Sequence, residues 1–157
     1  AKDKMTPAHY QGISAAQIPS VTLPGAGGQV RVIAGALGAA QGPAHSYTPM
    51  NVLDIRLAAG QTADLPQPEG WSTLLLVLAG SVQVNGSAPL EAAQLATLSQ
   101  QGQGVTLHAH SDAKLLLLAG APIDEPVVGY GPFVMNSRAE IVQAGKDFNQ
   151  GRFGRMH

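Results

Sequence analysis

The chain has 157 residues, enough for one domain, with nine basic against ten acidic residues and a formal net charge of −1. Hydrophobic residues make up 45% and charged residues 12%, which excludes disorder of the low-hydrophobicity, high-charge kind and a chain-wide basic footprint for nucleic acid. There is no cysteine, so disulfides, zinc–thiolate sites, iron–sulfur clusters and a cysteine nucleophile are excluded as well.

The first residues, Ala1–Lys2–Asp3–Lys4–Met5, are basic without an apolar stretch, so no signal peptide is expected and the expected localisation is cytoplasmic. No initiator Met is present, and the expectation is a chain that begins after processing or is a piece of something longer. Residues 1–19 read as a polar arm containing Pro7 and Pro19. From there to residue 134, glycines and prolines are spread as punctuation, the pattern of many short strands joined by turns.

Val21–Leu23 and Val30–Ala34 read as strands around the Pro24–Gly28 turn cluster, followed by a loop from Gly35 to Pro49 that carries His45 and Tyr47. Asn51–Leu57 alternates, with Leu53, Ile55 and Leu57 on one face, as a half-buried strand does. Thr62–Leu65 is a short return strand. Leu74–Leu78 and Leu115–Leu118 are continuously apolar, which predicts strands buried on both faces. At six residues or fewer, the longest apolar runs fall far short of the ~18–20 a membrane helix needs.

Asn85–Gly86 predicts a hairpin, because a type I′ turn needs positive φ at both central residues. Leu90, Leu95 and Leu98 mark further strands, Val105–His110 alternates, and Val127–Val134 is a last extended piece. Thr73–Gly80 and Lys114–Gly120 resemble one another, as two buried strands of similar composition would. Residues 135–157 differ: Ser137 and Glu140 fit a capping box, Ile141, Ala144 and Phe148 share a helical face, and Gly151 is a C-terminal stop. A helix over Arg138–Gln150 is predicted. The fold class is therefore all-β, a barrel or sandwich over 20–134, with one C-terminal helix.

The segment Pro122-Ile-Asp-Glu-Pro-Val-Val-Gly-Tyr-Gly-Pro-Phe-Val-Met-Asn136, with Gly151-Arg-Phe-Gly154 after the helix, resembles the C-terminal end of pirin-family proteins. Ala1-Lys-Asp-Lys-Met5, Tyr10-Gln11 and Gly42-Pro-Ala-His-Ser-Tyr-Thr-Pro-Met50 resemble the family in the same order. The resemblance implies a cupin, or jelly-roll, barrel. Pirins are bicupins, with iron held by three histidines and a glutamate in the N-terminal half. Members are linked to quercetin 2,3-dioxygenase activity and, in animals, to transcriptional co-regulation. This chain resembles the C-terminal cupin domain alone.

A metal cupin needs a His-x-His pair, a Glu and a later His converging on one ion. Between Gly60 and Gly80 there is no histidine, and Glu69 stands beside Gly70 in a loop. No metal, cofactor-binding or catalytic residue is assigned, and iron is expected only in the absent N-terminal cupin. His108 and His110 share one face of a strand; Leu107 and Ala109 suit the interior, which puts the histidines outside, although such a pair chelates a metal when a third ligand joins. The resemblance of its loop to the family's implies a structural role for His45, and His9 and His157 carry no signal. No nucleophile elbow, phosphate loop or paired-carboxylate site is present.

Residues 1–137 hold five basic and eight acidic residues, and 138–157 hold four and two. That basic tail fits a helix C-terminus complementing its dipole better than a nucleic-acid contact. The expected role is structural or partner-binding. The expected partners are a second copy, as a dimer, or the missing cupin half; neither membrane nor nucleic acid is expected. The alternatives are half of an iron-dependent dioxygenase and a co-regulator-type binding module.

Overall fold

The computed structural model describes residues 3–7 and 9–154. It divides into two compact units, Ala8–Pro122 and a smaller one of Ala1–Pro7 with Ile123–His157. No helix among the described residues is long and apolar enough to cross a membrane.

The strands of the larger unit are, in chain order, β1 (Ser20–Thr22), β2 (Gly28–Ala34), β3 (Ala36–Leu37), β4 (Ala40–Gln41), β5 (Met50–Leu57), β6 (Thr62–Pro66), β7 (Ser72–Ala79), β8 (Ser81–Val84), β9 (Leu90–Glu91), β10 (Leu95–Leu98), β11 (Gly104–Ala109) and β12 (Ala113–Gly120). One sheet runs β1-β2-β5-β12-β7-β10 and a second runs β6-β11-β8-β9, with β3 and β4 as a separate two-stranded ribbon. Every strand pair is antiparallel. The architecture is the jelly-roll sandwich that the resemblance implies.

Alternation fixes which residues enter the core. Val30, Val32, Leu53, Ile55, Leu75, Val77, Leu115 and Leu117 of the first sheet are all 0% exposed, as are Val82, Leu107 and Ala109 of the second. Burying each Leu, Ile or Val is worth roughly 1.5–3 kcal/mol, so these alternating positions dominate the stability of the sandwich.

Three expectations change. The segment from Gly35 to Pro49, expected as a loop, holds the β3–β4 ribbon, because tight pairing of Ala36 with Gln41 and Leu37 with Ala40 satisfies its main chain locally. Leu74–Leu78 and Leu115–Leu118 are not buried on both faces: Leu74, Leu76, Leu116 and Leu118 are half-buried and Leu78 is 51% exposed. The strands sit inside their sheet, but in a two-layer sandwich only one face meets the opposing layer. The predicted extended piece Val127–Val134 is a hairpin of β13 (Val128–Tyr130) and β14 (Phe133–Met135). Gly131, at φ 54, makes its turn. The Asn85–Gly86 turn forms as expected: both residues have positive φ, and the Ser87 N–H donates to Val84 O at 2.9 Å.

In the smaller unit, helix α1 spans Arg138–Asn149. Ser137 Oγ accepts from the Glu140 N–H at 3.3 Å. The reciprocal half of the capping box is displaced by one residue, because Glu140 Oε2 takes the Asn136 N–H at 3.1 Å and the Ser137 hydroxyl at 2.9 Å. Ala144 is buried, Ile141 half-buried, and Phe148 remains 60% exposed. Its ring centroid lies 6.0 Å from that of Phe133 and 6.2 Å from that of Phe153, an aromatic group joining helix, hairpin and tail. Arg155 and His157 lie outside the described residues.

Candidate functional site

The end of the sandwich between β6 and β7 is where a cupin metal site would be sought. The inward residues here are Ala63 and Leu65 on β6, Gln67 just beyond it, Thr73, Leu75 and Val77 on β7, and Val105, Leu107 and Ala109 on β11. They offer aliphatic carbon, one hydroxyl and one amide, with no imidazole or carboxylate. Glu69 is exposed in the β6–β7 loop. Among the described residues no group of three or more His, Cys, Asp or Glu could hold a metal ion. This donor set does not fit iron.

His108 and His110 point outward, as alternation predicts, with Leu107 and Ala109 buried between. Their ring centroids are 5.1 Å apart. His108 Nδ1 hydrogen-bonds Thr62 Oγ1 at 3.0 Å across the β6–β11 pair, and among the described residues no third His, Cys, Asp or Glu joins the two imidazoles. His45 belongs to another exposed group, with its ring 6.1 Å from that of His9 and 5.0 Å from that of Tyr47. Gln11 fastens that loop: its Nε2 donates to Pro43 O at 2.7 Å and its Oε1 accepts the His45 N–H at 2.9 Å. These bonds hold the main chain of the loop and leave the His45 imidazole among the exposed rings.

What sequence reasoning missed is a polar relay. The Ala36 N–H donates to Asn51 Oδ1 at 3.1 Å, and Asn51 Nδ2 donates to Gln67 Oε1 at 3.0 Å. Asn51 and Gln67 are each 7% exposed. Gln67 Nε2 is buried with no hydrogen-bond partner among the described residues. An unmet buried donor costs about 1–3 kcal/mol, and such groups are uncommon in native interiors. Gln67 also forms part of the wall of a cavity of about 310 Å³, beside Trp71, Thr73, Leu98 and Val105. The signal was there: Gln67 stands between Pro66 and Pro68 in phase with Ala63 and Leu65, a polar residue at a core-facing position.

Residues 52–154 match the family model of the pirin C-terminal cupin domain. The chain belongs to the pirin family. It is 46% identical over its whole length to a Pseudomonas aeruginosa protein named "putative quercetin 2,3-dioxygenase", of which it covers 54%. It is 35% identical to pirin-like protein 2 of Arabidopsis thaliana, with 98% of this chain and 50% of that protein covered. Among solved structures, a quercetin 2,3-dioxygenase from Acinetobacter baumannii superposes with a TM-score of 0.88 at 47% identity, over 99% of this chain and 54% of that one. This pirin-family chain thus spans about half the length of the relatives it matches. The fold is that of their C-terminal cupin.

Proposed function

We propose that this pirin-family chain is a metal-free cupin domain whose role is structural: it docks, through the outer face of its six-stranded sheet, against a metal-bearing cupin half of the kind that makes up the rest of its relatives. One observation carries this reading. In an antiparallel sandwich the outer face of a sheet is normally polar. Here Leu116 lies across from Leu76, which lies across from Leu95, and Val52, Leu118 and Leu74 form the parallel row. Leu95 and Leu78 are 52% and 51% exposed. A contiguous apolar patch of this kind is the mark of an interaction surface, and the length of the relatives supplies an occupant.

The test mixes this chain with the uncovered half of the Pseudomonas relative and measures mass by light scattering. A 1:1 complex is expected, and the double substitution Leu76→Glu with Leu116→Lys abolishes it. A mixture in which the chain stays monomeric or pairs only with itself, or a complex indifferent to the two substitutions, overturns the reading.

A second reading is favoured by the names of the relatives, which include quercetin 2,3-dioxygenases. On it the biological unit is an iron-dependent dioxygenase and this chain is one half. It predicts oxygen consumption with quercetin only when the complex has formed and its other half holds iron; an iron-loaded complex without turnover would count against it.

A further inference from the structure

The Asn51–Gln67 relay has a fixed direction. Because Asn51 Oδ1 takes the Ala36 N–H, its Nδ2 must be the donor toward Gln67. Gln67 Oε1 is therefore the acceptor, and the two amide orientations cannot be exchanged without breaking a bond. The main chain is pinned too, with the Gln67 N–H donating to Gln103 O at 3.0 Å. What remains is an unpartnered donor, Gln67 Nε2, on a residue 7% exposed; Gln67 borders a cavity of about 310 Å³ on one side and, with Asn51 and Ala36, a second of about 520 Å³. The smaller of the two is at the lower end of ligand pockets. Trp71, Leu98 and Val105 give it apolar surface, Thr73, Asn85, Ser87, Ser99 and Gln100 give it polar groups, and no charged residue lines it.

We propose that this cavity is a binding site for an uncharged, single-ring molecule bearing a carbonyl oxygen. The carbonyl takes the Gln67 Nε2 hydrogen and the ring lies against Trp71 and Leu98. A carbonyl suits an isolated donor because its oxygen accepts, and any N–H beside it can be met by the hydroxyl and amide oxygens of the walls. A carboxylate would give up its hydration with no cation in the walls to offset the loss. Nε2 is covered in this structure, so contact needs a small shift of the side chains around it. The site is independent of the outer-face reading and shares no residue with it.

The experiment uses the full chain, labelled with nitrogen-15, and benzamide as the probe. Millimolar benzamide is expected to shift the Gln67 side-chain amide and the Trp71 indole signals in a saturable way. Benzoate binds at least about tenfold more weakly, and Gln67→Leu loses benzamide to the same degree. Should Gln67→Leu fail to fold, Leu98→Trp fills the cavity while leaving the relay, and it removes binding with the Gln67 amide signal intact. A Gln67 amide unmoved by benzamide, as when only water occupies the cavity, overturns the proposal. So do equal affinities for benzoate and benzamide, or benzamide binding that survives Leu98→Trp.

Discussion

At the scale of single residues, the smallest side chain in the molecule has one of the strictest tasks. Gly35 has φ +75, and a Cβ there would stand 2.1 Å from both Asn51 Oδ1 and Met50 O. Its place beside the relay is what lets the Ala36 N–H reach Asn51. Gly86 has almost the same φ, +72, but open space around it. Gly86→Ala should therefore cost only the left-handed backbone penalty of about 1–2 kcal/mol, while Gly35→Ala costs several times as much by displacing Asn51; urea unfolding of the two variants measures the difference. Asn51→Ala should cost about 2–3 kcal/mol by the same measurement, since it leaves the Ala36 N–H unpaired and Gln67 without its donor. Little of this was legible in the sequence. The phase of Gln67 with Leu65 marks it as inward, but the sequence separation of Asn51 from Gln67 hides their meeting, which only the crossing of strands between the two sheets creates.

At the scale of elements, strand alternation was readable wherever one face is polar. Asn51–Leu57 and Val105–His110 fall as their patterns predict, including the outward placement of His108 and His110. Leu74–Leu78 and Leu115–Leu118 were readable as strands but not as one-sided ones, because a run of leucines carries no mark of which face meets the other layer. The helix was legible from its cap and its stop. Its marginal length makes the cap matter: isolated helices this short are barely stable in water, and Ala144 is its only buried residue. Ser137→Ala removes the bond to the Glu140 N–H and should cost about 1 kcal/mol of helix stability. Hydrogen exchange checks this. Amides of α1 should exchange roughly fivefold faster in the variant, while those of Leu53 and Leu115 keep their wild-type protection.

At the scale of the whole molecule, the question is what the sandwich interior admits. Eight residues of the larger sheet and three of the smaller face each other at 0% exposure, and all eleven are aliphatic. A ferrous ion entering such an interior would give up its hydration to carbon, a transfer that costs far more than weak coordination by one threonine hydroxyl and one amide returns. The His108–His110 pair on the surface offers two imidazoles and, among the described residues, belongs to no group of three or more metal-ligating side chains, too few to hold the ion tightly enough to move the melting temperature. Any ligand that binds the native state raises stability by mass action. Anaerobic addition of excess Fe(II) to this chain should therefore leave its melting temperature unchanged, and the double variant His108→Ala with His110→Ala should behave as the parent does. A rise that saturates at one iron per chain and survives the loss of both histidines would mean that the interior holds a metal after all.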